Sequence, residues 1–231
     1  TSLEDVMNDY ARTWFGPDAA PEMVQAILQL EDNLADKPGT PTEKKDGFAK
    51  YYRLVQQAGL KMPAWRMKSS WLWREYMQKA ALDWHIQHSV QQQVALRDRI
   101  QKAVALSGSD ASLRRLLPLF DAQKPTPEME RLRAEAEKLG EESNALFGVR
   151  SEGLYNLQHD YIGLGWYKRQ IERALAAKGE ERAELLRMIT HYTDPGPGGF
   201  YDAGGTLDRS PNIVAGYPYD FGQPFVSEML S

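Results

Sequence analysis

The stretch of sequence best suited to ligand binding is rich in tryptophan and arginine. Four of the six tryptophans lie between Trp65 and Trp84, and Arg74 lies among them. Aromatic faces beside hydrogen-bonding side chains suit a sugar, whose C–H face stacks on a ring while its hydroxyl groups need polar partners. On a helix, Trp71 points away from the side shared by Trp73 and Trp84. Trp71 and Arg74 are therefore candidate carbohydrate contacts, and core packing of these rings is the alternative interpretation.

The second candidate is the loop TDPGPGGFYD at residues 193–202. Its glycines permit positive φ and close backbone approach, and its prolines stiffen the path. Asp194, Tyr201 and Asp202 are the candidate contacts if the loop borders a sugar site. The alternative is a structural loop anchored by Phe200 and Tyr201. Its acids suit a hard cation such as calcium, but the EF-hand spacing is absent, so no metal is predicted.

No motif in the sequence identifies a catalytic residue or a cofactor. His85 and His88 are three residues apart without an H-E-x-x-H pattern, which favours solvated or capping histidines over a metal site. The chain has neither a phosphate-binding glycine loop nor a G-x-S-x-G elbow. Acid pairs such as Glu141 and Glu142 are typical of solvated helix surfaces. We therefore expect no catalytic residues, no metal and no cofactor.

Composition excludes several classes of protein. The 231 residues carry a net charge of −4, so no basic excess favours nucleic-acid binding. Without cysteine there are no disulfides, thiol nucleophiles or cysteine-bound zinc. No apolar run reaches the roughly 20 residues that span a bilayer, so no membrane partner is expected. The composition is that of an ordinary globular protein.

The elements that must position these residues are helical. Ser2 and Asp5 match a capping box, and an apolar stripe with helical period follows from Leu3 to Phe15. Thr126 and Pro127 mark another helix start. The sequence predicts an all-α, multi-helix bundle over residues 1–192.

Details of the predicted helices follow from periodicity and from chain breakers. The second helix is expected to bury Val24, Ile27, Leu28 and Leu34. The third is expected over residues 43–58, with Gly59 closing it. Residues 64–107 form either one long helix or a helix with one unmarked break, and Pro118 is expected to kink or end a later helix. Trp65 and Leu146 are placed in the core.

Residues 193–231 differ in kind from the rest of the chain. They contain seven glycines, five prolines and no lysine, yet six aromatic residues. This composition predicts an extended, Gly/Pro/aromatic-rich strap that packs on the bundle or leads to a following domain.

Three strings carry a resemblance to a known family. They are YARTWFGPDAA at 10–20 with LEDN at 30–33, PAWRMK at 63–68, and ITHYTDPGPGGFYD at 189–202. Together they resemble the helical region that follows the barrel in large bacterial glycoside-hydrolase-like proteins related to α-glucuronidases. The sequence departs from that pattern at residues 203–205, where a more acidic continuation is expected. The resemblance implies a secreted or periplasmic protein with several domains that acts on polysaccharide.

The expected function is a non-catalytic helical domain of a carbohydrate-active protein, supporting or bordering a glycan site. The first residue, Thr1, is not an initiator Met, which favours a segment of a longer chain. Its partners would be other domains of the same chain and a glycan. The alternatives are a helical scaffold that forms a homodimer, and a stand-alone hydrolase with its site between the bundle and the strap.

Overall fold

The chain is all-α over the residues that the computed structural model describes, which are 2–34, 46–148 and 163–191. No strand occurs in these ranges. Their helices are α1 (Leu3–Phe15), α2 (Ala20–Leu34), α3 (Gly47–Lys61), α4 (Ala64–Ser69), α5 (Trp71–Leu106), α6 (Asp110–Asp121), α7 (Pro127–Phe147), α8 (Leu164–Ala176) and α9 (Gly179–His191). The predicted fold class is confirmed, and the predicted strap lies outside the described residues.

The described chain divides into two compact units. The first contains residues 2–34, 46–88 and 125–148, and the second contains residues 89–124 and 163–191. Helix α5 contributes to both, because its first half lies in one unit and its second half in the other.

The core of the first unit is built from α1, α2, α3, α7 and the first half of α5. Its largest fully buried side chains include Phe15, Tyr51 and Met77. The Phe15 ring meets the edge of Tyr76 with centroids 5.8 Å apart. Burying each such side chain stabilises the fold by roughly 1.5–3 kcal/mol, so aromatic packing is a main contribution here.

The core of the second unit surrounds the second half of α5. Ile100 is fully buried there among Leu113, Ile171 and Ile189. The Trp166 and Tyr167 rings pack edge to face, and Gln101 donates a hydrogen bond of 3.0 Å to the Tyr167 hydroxyl. Val90, Val94, Ile100 and Val104 of this part of α5 are all buried.

The predicted helix starts are confirmed by their hydrogen bonds. The backbone N–H of Asp5 donates to Ser2 Oγ at 3.1 Å, and that of Ser2 donates to the Asp5 carboxylate at 2.8 Å. At the starts of α6 and α7, the hydroxyls of Ser109 and Thr126 each accept a hydrogen bond from the backbone N–H three residues further on. Gly16 ends α1 with φ of +99°, a conformation that favours glycine.

The buried faces of α1 and α2 differ from the predicted ones. In α2 the buried apolar residues are Ala20, Met23 and Ala26, whereas Leu28 is half exposed. Alanine lets helices approach closely, so the small residues define the contact face and the larger ones are displaced to its sides. In α1 only Ala11 and Phe15 of the apolar stripe are buried, and its remaining members include exposed Leu3, Val6 and Trp14.

Helix ends also differ from the prediction around Gly59. Helix α3 continues through Gly59 to Lys61, and Gly59 is buried inside the helix beside the Trp73 ring. The helical conformation is then interrupted at Ser70, whose hydroxyl accepts a hydrogen bond from the backbone N–H of Trp73. From Trp71 the helix is unbroken to Leu106, and Pro118 lies inside α6 without ending it.

Two residues predicted to be in the core are on the surface. Trp65 is 66% exposed and Leu146 is 59% exposed. Trp65 lies on the short helix α4, none of whose residues is buried. Leu146 lies in the last turn of α7. It comes after Ser143, which is the last buried residue of that helix.

We predict that Gly59→Ala destabilises the first unit although alanine favours helix. A Cβ at this position would lie 2.6 Å from the Trp73 ring, which is itself held by a hydrogen bond to the Val55 carbonyl. Overpacking of this kind costs about 1–3 kcal/mol. The control is Gln57→Ala at an exposed position of the same helix. The melting temperature should fall for Gly59→Ala and stay at the wild-type value for Gln57→Ala. Equal melting temperatures of the two variants would refute the contact.

Candidate functional site

A groove of about 430 Å³ lies in the first unit, between α4, the start of α5 and α7. We call it the Arg74 groove. Its lining combines charged, aromatic and aliphatic side chains: Met67, Lys68, Trp73, Arg74, Glu135, Lys138, Leu139, Glu142 and Leu146. An open groove with apolar walls and a few polar groups is the usual form of a binding site for an extended ligand.

Arg74 forms the floor of this groove and is only 6% exposed. Its Nη1 donates to the carbonyls of Met67 and Ser70, at 3.1 Å each. Its Nε donates to Glu142 of α7 at 3.4 Å, and its guanidinium lies 5.7 Å from the centre of the Phe147 ring. Arg74 therefore satisfies carbonyls at the end of α4 and ties α4 and α5 to α7.

The walls of the groove present charges to its opening. Lys68 is exposed and has no acidic partner among the described residues, whereas Lys138 lies 3.9 Å from the Glu142 carboxylate. Trp73 is a fixed wall, because its indole N–H donates to the Val55 carbonyl at 3.3 Å. The groove thus combines one unpaired cation with carboxylates and an aromatic wall.

The predicted contact residues are placed as follows. Arg74 lines the groove, and Trp71, in the same helix, is 41% exposed at the surface. Trp73 and Trp84 pack against the core, as the core-packing interpretation expects. Asp194, Tyr201 and Asp202 lie outside the described residues.

A charged network borders the groove through Glu135. The Tyr52 hydroxyl donates to Glu135 at 2.6 Å and accepts from Arg131 at 2.8 Å. Arg131 also pairs with both oxygens of Glu128 and lies 5.3 Å from the Tyr52 ring centre and 5.9 Å from that of Trp84. Burial, with the bond to Glu135, raises the pKa of Tyr52 to about 12, so its phenol stays protonated at neutral pH.

Two histidines of α5 lie in the first unit, His85 buried and His88 partly buried. His85 is 3% exposed, and its Nδ1 has no hydrogen-bond partner among the described residues, nor has Nε2 of His88. The His88 ring lies 5.7 Å from that of Trp84. Burial, then the nearby Arg133, lowers the pKa of His85 to about 4, so this imidazole is neutral at physiological pH.

The two carboxylates of the groove both lie on α7 and form ion pairs with arginines. Glu135 and Glu142 are seven residues apart on α7, which is roughly 10.5 Å along the helix axis. Each is held by a cation, Glu135 by Arg131 and Glu142 by Arg74.

Two further properties concern the whole described part of the chain. Within it, no group of three or more histidine, aspartate or glutamate side chains is placed to hold a metal ion. None of its helices is long and apolar enough to cross a membrane.

The sequence pointed to Trp71 and Arg74 but not to the residues of α7 that face them. Glu135, Lys138 and Glu142 follow one another at steps of three and four, so a shared helix face was visible in the sequence. Which neighbour that face meets is a tertiary property, and so are the hydrogen bonds that join Arg131 and Glu135 to Tyr52 of another helix.

Comparison of the chain with protein families, with curated proteins and with solved structures finds no match. Function is therefore inferred from the chemistry of the groove and from the resemblance of the sequence to α-glucuronidase-related proteins.

We predict that His85 makes the stability of the protein depend on pH. Because its folded-state pKa of about 4 lies below the ordinary 6.5, the unfolded chain binds a proton first, and stability falls as the pH drops from 6.5 to 4. One such proton contributes a slope of up to about 1.4 kcal/mol per pH unit.

The measurement is the free energy of unfolding in urea between pH 4 and pH 7. His85→Gln should flatten the curve in that range, whereas His191→Gln, at an exposed position, should leave it unchanged. Parallel curves for His85→Gln and the wild-type chain would contradict the assignment.

Proposed function

We propose that this chain is a non-catalytic helical domain of a carbohydrate-active, glycoside-hydrolase-like protein, and that the Arg74 groove contacts glycan. In this proposal the other domains of the same protein supply the chemistry. The proposal includes a secreted or periplasmic location, which follows from the resemblance alone.

The observation that carries the proposal is the composition of the groove and its surroundings. Trp73 supplies an aromatic wall, Lys68 and Glu142 supply charged hydrogen-bonding groups, and exposed Trp71 begins the helix that forms the floor. Sugars are bound by this combination, because a ring face covers their C–H groups while polar side chains hold their hydroxyls.

A binding role is favoured over catalysis by the state of the groove's polar groups. Arg74 is fixed by carbonyls, and both carboxylates are neutralised by arginines. A hydrolase needs convergent groups whose charge can change during the reaction. In the alternative of a stand-alone hydrolase, the active site would lie between the bundle and the strap. The strap lies outside the described residues.

Exposed Trp71 provides the direct test. We expect the chain to bind some members of a panel of plant and microbial polysaccharides in affinity electrophoresis, and Trp71→Ala to bind about tenfold more weakly. That factor corresponds to losing an aromatic contact of about 1.5 kcal/mol. Trp14→Ala is the matched control, since Trp14 is 45% exposed but lies on α1, which contributes no residue to the groove, whereas Trp71 is three residues from Arg74 on α5.

The same preparations should release no product from aryl glycosides above a buffer control. Turnover that disappears on replacing a single acid of this chain would contradict the non-catalytic assignment. Absence of glycan binding throughout the panel would contradict the binding role.

A further inference from the structure

One stretch of the first unit carries charge of a single sign. Residues 47–74, which cover α3, α4 and the start of α5, contain six lysines and arginines and no acid, although the whole chain has a net charge of −4. Asp46 and Glu75 are the acids that flank this stretch in the sequence. The stretch is therefore a local excess of positive charge in an acidic chain.

The cations of α3 share one exposed face. Going along the helix at steps of three, four, three and one, the face consists of Lys50, Arg53, Gln57, Leu60 and Lys61, all of them exposed. Residues at such steps are neighbours on a helix surface. The opposite side of α3 is buried in the core of the first unit. We call this exposed face the α3 stripe.

The positive charge of the α3 stripe is only partly neutralised. Lys61 pairs with Glu22 at 2.6 Å. Lys50 and Arg53 have no acidic partner in the described part of the chain. Lys68 of α4 lines the Arg74 groove together with two carboxylates, so its charge is less available outside the groove. Lys50 and Arg53 are the cations left to meet an anionic partner.

Two large apolar side chains project beside these cations. Leu60 is 82% exposed at the end of the α3 stripe, and Trp65 is 66% exposed on α4, beyond buried Met62. The Arg66 guanidinium lies 5.2 Å from the centre of the Trp65 ring, so a cation accompanies this ring as well. Exposed leucine and tryptophan among lysines and arginines are typical of surfaces that adsorb to anionic bilayers. There the apolar side chains enter the headgroup boundary while the cations stay at the phosphates.

The shape of the α3 stripe favours a bilayer over an acidic protein or peptide. The exposed face of a single helix is convex, whereas peptides are bound in grooves or along sheet edges. A lipid surface adapts to a convex face and admits side chains that project from it. An acidic peptide would pair with Lys50 and Arg53 but would give Leu60 no apolar surroundings.

We propose that the α3 stripe and Trp65 bind the surface of an anionic lipid bilayer, with Lys50 and Arg53 at the lipid phosphates and Leu60 and Trp65 in the headgroup boundary. The contact goes beyond the proposed glycan binding and does not depend on it. None of the described helices could cross a membrane, so the chain would lie on the bilayer. The expectation of no membrane partner followed from the lack of a spanning segment, which such a contact does not need.

The experiment is sedimentation of the whole chain with large unilamellar vesicles at low salt. One set of vesicles is phosphatidylcholine alone, and the other has two parts phosphatidylcholine to one part phosphatidylglycerol. The chain should bind the anionic vesicles about tenfold more tightly than the neutral ones. Added sodium chloride should weaken that binding, because it screens the attraction between the cations and the lipid phosphates.

Paired variants locate the contact. Lys50→Gln with Arg53→Gln should weaken binding to the anionic vesicles about tenfold. Arg99→Gln with Lys102→Gln is the matched control, because it also removes two exposed cations three residues apart on a helix, and it should have no effect. Leu60→Ser should weaken binding without changing the net charge. All these positions are exposed, so unchanged melting temperatures will exclude unfolding as the cause.

Insertion of the tryptophan is measured with brominated phosphatidylcholine, whose bromine atoms quench indoles that enter the bilayer. Anionic vesicles made with this lipid should quench part of the fluorescence of the wild-type chain. Trp65→Phe should lose most of that quenching and still bind. Trp14→Phe, at a 45% exposed position on α1, should keep it.

Three results would overturn the inference. The first is equal affinity for neutral and anionic vesicles, or an affinity that Lys50→Gln with Arg53→Gln leaves unchanged. The second is binding to soluble polyglutamate as tight as to anionic vesicles, with no quenching by the brominated lipid, which would identify an acidic polymer as the partner. The third is absence of binding to either kind of vesicle. The proposed glycan contact is tested separately, by the polysaccharide panel, and stands or fails independently of all three.

Discussion

The groove depends on one buried guanidinium. Arg74 satisfies two carbonyls at the end of α4 and reaches Glu142 on α7, so a single side chain joins three helices. Helix α4 has six residues, none of them buried, and a helix that short does not persist in water on its own. The exposed aromatic and cationic side chains of α4 keep a defined position because Arg74 and Arg66 hold its backbone to the neighbouring helices.

A second constraint is the continuity of α5. Its 36 residues pass through two separate apolar cores, the first around Tyr51, Met77 and Leu132 and the second around Ile100 and Trp166. A helix that is covered on different sides along its length shows no single apolar face. It therefore buries polar residues such as His85 and Gln78, and the Gln78 side chain donates to the Ala136 carbonyl at 3.1 Å. Burial of His85 in this helix is the basis of the expected pH dependence of stability.

Local signals in the sequence were sufficient to predict the helices, but they were insufficient to predict which residues of one helix contact another. The caps at Ser2, Ser109 and Thr126 are hydrogen bonds within one turn, so the residue types alone predict them. Gly59 illustrates the failure, because its role is set by the Trp73 ring, which comes from another helix. The same applies to the buried face of α2, which consists of Ala20, Met23 and Ala26 and does not include Leu28.

The candidate site was predictable in its ligand-facing part. Trp71 and Arg74 were identified from residue types and helical phase, and both are at or beside the groove. The Arg74 side chain donates hydrogen bonds to the backbone carbonyls of Met67 and Ser70. No sequence pattern reveals this role, since these carbonyls are available only because the helix is interrupted at Ser70. Trp65 was predicted to lie in the core because tryptophan is large and apolar. In the structure it lies on the short helix α4, which leaves it exposed.

The most direct test of this account is hydrogen exchange of the backbone amides of α4 in Arg74→Met, compared with the wild-type chain. Methionine keeps the length of the side chain but removes its donors, and leaving buried acceptors unpaired costs about 1–3 kcal/mol. The account predicts that amides from Met67 to Ser70 exchange at least tenfold faster in the variant, while those of α8 and α9 are unchanged. Unchanged protection of α4 would show that Arg74 does not hold it, and the central claim would be wrong.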